Sequence, residues 1–230
     1  MQSLLPLDLK RQYLAEMLGT YLLVVIGPAS VVAVDQSGLP PAQSLVVVAL
    51  VFGAVVAGVI ALLGPMSGAI INPALTLASA AAGLLRKSLV LPYIAFQVAG
   101  ALVAGLTLSL AFGGTHSPSY LGSTRLAPGV SPVQGTAIEI AGTFVLAVAA
   151  LTASTFLNNH LAQALLVGST LFVLIVVIGP LTGASFNPAR SLGPSIFAGY
   201  FENQLIYYVG PFTGGLLAGL TYTGAKKIAK

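Results

Sequence analysis

Apolar residues dominate six long runs of the chain, at roughly 12–34, 43–63, 90–112, 134–156, 161–179 and 204–225. Each approaches the about 20 mostly apolar residues that a helix needs to cross a bilayer. The segments 64–85 and 180–200 are too apolar for ordinary loops, yet they carry Gly, Pro, Ser, Thr and Asn, which suit caps and turns. The stretch 113–133 is polar and rich in Gly, Pro and Ser, and is expected in water. This pattern predicts an all-α membrane protein of six transmembrane helices, read as a single transmembrane domain over 1–230.

The two unusual connectors are copies of one another. Gly64 to Ala74 (GPMSGAIINPA) lines up with Gly179 to Ala189 (GPLTGASFNPA), identical at seven of eleven positions. Upstream, Glu16-Met17-Leu18-Gly19-Thr20 matches Glu139-Ile140-Ala141-Gly142-Thr143, and downstream Tyr93 to Gly105 matches Tyr207 to Gly219. The order of landmarks is the same in the halves 12–112 and 134–225. Each half holds an odd number of spans, so the second enters the membrane upside down, an inverted repeat.

Asn is a preferred N-cap and Pro a preferred first helical residue. Asn72-Pro73-Ala74 and Asn187-Pro188-Ala189 therefore each predict a helix start, too short to span. The connectors are expected to enter as extended chain at 66–71 and 181–186, turn into re-entrant half-helices and return. Non-helical backbone at that depth must be buried in protein or line a watery cavity, so these segments are expected to offer a ladder of carbonyl acceptors. Inversion should bring Asn72 and Asn187 together near the midplane. Each half-helix then aims a partial positive charge of roughly +0.5 e at that point. A water oxygen there accepts from both carboxamides, its hydrogens face outward and a proton wire breaks; the same field repels cations.

Composition sharpens this picture. Hydrophobic residues make up 57% and charged residues 6%, against about 25% charged in a soluble domain. Cysteine is absent, which excludes disulfides, thiolate metal sites and a catalytic thiol. No nucleophile–base pair, metal-ligand cluster or phosphate loop stands out, so no enzyme, cofactor or metal is expected. The net charge of +4 belongs to membrane borders rather than to a nucleic-acid surface. Lys10, Arg11, Arg86, Lys87, Lys226, Lys227 and Lys230 fall on one side and Arg125 on the other, which places both termini in the cytoplasm of a multi-pass cell-membrane protein. Lys10 and Arg11 before an apolar run resemble a signal peptide, but the run is too long and contains Glu16, so it reads as the first span.

These motifs, SGAIINPALT, TGASFNPARSLGP, the two Glu-x-x-Gly-Thr elements and FQVAG, resemble the aquaporin, or major intrinsic protein, family over 12–225. The resemblance implies a right-handed bundle of six spans plus two half-helices, and a homotetramer with a pore in each subunit. It also implies a selectivity filter of Phe52, Ile175, Ala184 and Arg190. Water-selective relatives usually carry His where Ile175 stands, and losing that donor opens a route for glycerol, ammonia or undissociated metalloid hydroxides. Ser191, where glycerol conductors usually carry Asp, and the pair Tyr207-Tyr208 lean back toward water. The nodulin-type look of GPLTGASFNPARSLGP leans toward neutral solutes.

Glu16 and Glu139 are intramembrane carboxylates, a default sign of function. Their matched positions in the repeat favour a scaffold role, accepting from connector N–H groups, over an ion site. Gln97 is expected to pin a connector carbonyl. His116 and His160 are expected in loops, where a lone His can gate but more often is solvated. The Gly100–Gly105 and Gly210–Gly219 stretches read as close helix contacts, within or between subunits. A passive channel is the first function class. A secondary transporter also uses inverted repeats, but needs a cation site the positive midplane lacks. Nothing in the sequence favours a structural junction protein.

Overall fold

A computed structural model describes residues 9–113 and 119–228, with side chains up to Gly224. His116 and Lys230 lie outside the described residues, as do the side chains of Lys226 and Lys227. The chain order is α1 (Leu9–Ser37), α2 (Pro41–Ser67), α3 (Pro73–Ala81), α4 (Val90–Phe112), α5 (Pro132–Phe156), α6 (His160–Thr182), α7 (Pro188–Ala198) and α8 (Ile206–Ile228). Among the described residues α1, α2, α4, α5 and α6 are long and apolar enough to cross a membrane. The sixth long helix, α8, equals α6 at 23 residues, or about 34 Å, more than the hydrocarbon thickness. The 9-residue α3 and 11-residue α7 reach about half that distance.

Packing follows the repeat. In the first half α1 lies against α2 and α4; in the second, α5 lies against α6 and α8. Each half-helix crosses over to the other half, α3 onto α8 and α7 onto α4, while α2 and α6 pack on each other. Mapping α1–α4 onto α5–α8 leaves this pairing scheme unchanged. The glycine stretches close contacts inside the subunit: a β-carbon on Gly105 would meet the Gly193 carbonyl oxygen at 2.3 Å, and one on Gly219 the Ala78 carbonyl oxygen at 2.4 Å. Their role is to let the half-helices approach the long helices backbone to backbone.

Two expectations change. The spans expected at 43–63 and 161–179 do not stop there; past Pro65 and Pro180, α2 runs on to Ser67 and α6 to Thr182. An internal proline deletes one backbone hydrogen bond without stopping the helix. The stop comes at Gly68 (φ 89°) and Gly183 (φ 76°), left-handed caps whose N–H groups donate to Gly64 O and Gly179 O, each at 2.9 Å. Only residues 68–72 and 183–187 are non-helical, and they are not extended throughout. Ala69 and Ile71 (both φ 46°), Ala184 (φ 48°) and Phe186 (φ 52°) are left-handed, so the chain turns tightly at matched positions. Such backbone persists only where surrounding bonds over-determine it.

The stretch 113–133, expected in water, folds partly inward. Leu121, Ser123 and Thr124 are buried, and a 3-10 turn at Tyr120–Gly122 packs against α1 and α7. His160, expected in a loop, opens α6; its Nδ1 lies 3.2 Å from Gln163 Oε1.

Candidate conduction pathway

The left-handed connectors are held by the two glutamates. Glu16 Oε1 accepts from Ser67 Oγ (2.6 Å) and Ile70 N (3.0 Å), and Oε2 from Ile71 N (2.7 Å) and Gln97 Nε2 (2.7 Å). Glu139 Oε1 accepts from Thr182 Oγ1 (2.7 Å) and Ser185 N (3.0 Å), and Oε2 from Phe186 N (2.8 Å). Both side chains are fully buried, and apart from the Gln97 bond to Glu16 all these bonds come from the helix ends and turns preceding the Asn residues. Gln97, expected on a connector carbonyl, donates instead to Glu16 and to Thr76 Oγ1 (2.9 Å). Two tyrosines outside the predicted site complete the pattern: Tyr93 Oη donates to Ser67 O (3.0 Å) and Tyr207 Oη to Thr182 O (2.8 Å). Each satisfies a carbonyl left open where a long helix ends. Their matched place in the repeat was the signal for them.

With the connectors fixed, the half-helices meet. Asn72 Oδ1 caps α3 by accepting from Ala74 N (2.9 Å) and Leu75 N (3.4 Å); Asn187 Oδ1 caps α7 by accepting from Ala189 N (3.0 Å) and Arg190 N (3.3 Å). Pro73 and Pro188 take the first helical position, where a missing N–H costs nothing, and Ala74 and Ala189 are fully buried beneath. Each carboxamide then crosses to the other connector. Asn72 Nδ2 donates to Phe186 O (2.8 Å) and Asn187 Nδ2 to Ile71 O (2.9 Å). An amide nitrogen carries two hydrogens, so one on each Asn stays uncommitted, and both residues line a cavity of about 110 Å³.

That cavity has one wall of connector residues, Gly68 to Asn72, and an opposite wall of Val56, Ile60, Leu146, Val167 and Leu171. It extends to Ser79, Ser154 and Gln163 at one end and to Phe52, Ala184 and Arg190 at the other. The same three residues, with Ile175, line a second, wider cavity of about 760 Å³ that opens among Ser44, Arg125, Tyr200 and Glu202. The two cavities therefore adjoin, and Phe52, Ala184 and Arg190 mark the junction. Arg190 is only 4% exposed. Its Nη1 donates to Gly122 O (2.8 Å), its Cζ lies 4.9 Å from the centre of the Phe52 ring, and its Nε has no partner among the described residues. Tyr207 and Tyr208 line neither cavity.

A polar network that the sequence did not single out holds the inward loop against α7. Thr124 Oγ1 lies 2.8 Å from Ser191 Oγ, which lies 2.6 Å from Ser185 Oγ, and Ser185 Oγ donates to Asn187 O (3.0 Å). Gln204 Nε2 donates to Thr124 O (3.0 Å), and Ala127 N to Leu181 O (2.9 Å). These ties keep the Gly122 carbonyl beside Arg190.

A membrane bundle with two half-helices bonded to each other's connectors beside two adjoining cavities is the architecture of a channel. The profile of the family described as Major intrinsic protein matches residues 3–222. The chain is 35% identical over 216 residues to "Aquaporin NIP1-2" of Oryza sativa subsp. japonica, covering 91% of this chain and 69% of that one. It is 34% identical over 230 residues to "Probable aquaporin TIP3-2" of Arabidopsis thaliana, covering 94% and 83%. Among solved structures, the aquaglyceroporin from Plasmodium falciparum shares the fold at a TM-score of 0.81 and 20% identity over 94% of each chain. The chain belongs to the major intrinsic protein family, the aquaporins, and is a passive membrane channel rather than an enzyme.

Proposed function

We propose that the chain conducts water in single file, excludes protons and ions, and admits small neutral solutes more slowly. The observation that carries this reading is the reciprocal Asn72–Phe186 and Asn187–Ile71 bonding on the wall of the inner cavity. That cavity, at about 110 Å³, is well above the roughly 10–15 Å³ that one water needs. A water at the Asn pair accepts the spare N–H of each carboxamide, its oxygen is saturated, and it cannot take a proton from a neighbour. Both half-helix dipoles converge there, so a cation meets a positive field.

Selectivity is set at Phe52, Ile175, Ala184 and Arg190. Arg190 supplies donors to a passing solute and repels cations, while Ile175 supplies no donor. The constriction is thus less polar than one with an imidazole, which leaves room for glycerol-like molecules. Glu16, Glu139 and Gln97 act as scaffold for the connectors. The protein works as a homotetramer, as the family implies, in the cell membrane; the bias of basic residues supports cytoplasmic termini. Leu50, Leu62, Leu91 and Leu110 on the bundle exterior are suited to lipid or to neighbouring copies.

Stopped-flow light scattering on proteoliposomes tests this. Osmotic shrinkage much faster than in empty vesicles, with a low activation energy and no dependence on a Na⁺ or proton gradient, is the expected result. Shrinkage no faster than in empty vesicles refutes the reading. Glycerol and urea swelling then reports how far neutral solutes follow water.

A further inference from the structure

We infer that Gly27-Pro28 in α1, which touches neither cavity, sets the bore of the constriction by backing two of its walls. The inference rests on the channel reading above and assigns it a positioning pair. Leu23, Gly27 and Val31 are spaced by four residues and share one helix face. Leu23 lines the inner cavity and Val31 the outer one. Gly27 falls between them, level with the junction, and the face is completed there by Phe52, which lines both cavities. The three atoms nearest to a β-carbon built on Gly27 are all in the Phe52 ring, at 2.4, 2.5 and 2.8 Å. The ring occupies the notch that the missing side chain leaves.

The next residue serves the opposite wall. Gly122, at φ 72°, lies so close to Pro28 that a β-carbon would meet the Pro28 carbonyl oxygen at 2.6 Å. The Gly122 carbonyl is the acceptor for Arg190 Nη1. So Gly27 seats the aromatic wall and Pro28 seats the turn that holds the guanidinium, with the Arg190 Cζ 4.9 Å from the centre of the Phe52 ring.

The inverted repeat supplies an internal control. Counted from Glu16 and Glu139, the match to Leu23, Gly27 and Val31 is Leu146, Ala150 and Ser154, all lining the inner cavity. Counted from Asn72 and Asn187, the match to Phe52 is Val167. Where no ring needs a seat, the glycine is replaced by alanine. The notch therefore accompanies the ring rather than the repeat.

A methyl group at position 27 forces the ring back by about an ångström to reach ordinary contact. The way back from α1 leads toward Arg190 and the passage. The test compares wild type, Gly27→Ala, Phe52→Leu and the double variant in proteoliposomes, reading water and glycerol permeability from the same preparations. Gly27→Ala is expected to lower the glycerol-to-water ratio by about tenfold, the effect of one methylene in a tight apolar pocket. Phe52→Leu should raise the ratio, and the double variant should return toward wild type, a coupling that a double-mutant cycle measures. A merely structural role lowers both permeabilities together and leaves the ratio fixed; that result, or additivity of the two changes, overturns the inference. Should Gly27→Ala yield no folded protein, the double variant must still fold, because the clash is with the ring; its failure also overturns the inference. A wild type that conducts no water above empty vesicles sinks the channel reading itself, which separates the two failures.

Discussion

Replacing Glu139 by alanine is the most direct test of how the pore is held open. Its oxygens accept from Thr182 Oγ1, Ser185 N and Phe186 N. The two backbone donors belong to a left-handed connector with no hydrogen-bonded ladder of its own, and Glu139 is fully buried. Each buried N–H left without an acceptor costs about 1–3 kcal/mol, so the substitution should remove about 2–6 kcal/mol. For a chain of this size that corresponds to a thermal midpoint lower by about 5–20 °C. Glu139→Gln keeps one acceptor oxygen but aims an NH₂ group at one of the donors, so it should lose roughly half as much. Unfolding of the detergent-solubilised protein, followed by circular dichroism, measures both shifts. Whatever fraction folds should keep the wild-type glycerol-to-water ratio, because Glu139 lines neither cavity. An alanine variant with an unchanged midpoint would refute the scaffold argument. So would a well-folded variant that had lost a pH-dependent flux, since the carboxyl would then belong to transport.

Three further outcomes follow from the same geometry. Arg190→Val removes the guanidinium at the junction and should raise glycerol and urea permeability and admit a proton or cation leak, read with a pH-sensitive dye inside the vesicles. Gln204→Leu cuts the tie to the Thr124 carbonyl and should cost about 1 kcal/mol, with faster hydrogen exchange confined to 119–127. Mercuric chloride should leave water flux unchanged, because the chain has no cysteine; a block reversed by added thiol contradicts this.

Much of the fold was legible because a membrane helix announces itself by length and the repeat announces itself by identity. The cap chemistry of Asn72 and Asn187 and the matched glutamates pointed to the connectors before any coordinates. The extent of the connectors was not legible, because Gly-Pro reads as a break while an internal proline costs only one bond of a long buried helix. The inward fold of 119–127 was hidden for a related reason. Its composition is that of a solvated loop, and tertiary partners, among them Arg190, Ser191 and Gln204 on Gly122 and Thr124, draw it in. Gly27 was invisible because its importance lies in the absence of a side chain.

The two halves share a backbone plan but not a chemistry. A β-carbon on Gly53 would meet the Gly168 carbonyl oxygen at 2.8 Å, and one on Gly168 the Gly53 carbonyl oxygen at 2.6 Å, so α2 and α6 cross at matched residues. Counted in register from Asn72 and Asn187, the junction residues Phe52, Ala184 and Arg190 and the neighbouring Ile175 of the outer cavity correspond to Val167, Ala69, Leu75 and Ile60. All four of these counterparts line the inner cavity. The inversion thus builds the same four-sided ring on both sides of the Asn pair, one ring wholly apolar and the other carrying an aromatic wall and a guanidinium. Anchoring diverges in parallel. Thr76, four residues past Asn72, is bonded to Gln97 of α4, whereas Ser191, four residues past Asn187, is bonded to Thr124 of the inward loop. The match to Gln97 in α8 is Pro211, which has no side-chain donor. The apolar ring is therefore fixed to a spanning helix, while the charged one is fixed to a segment the repeat does not duplicate. Changes in solute preference are accordingly expected from substitutions in 119–127, and losses of stability from substitutions at Thr76 and Gln97.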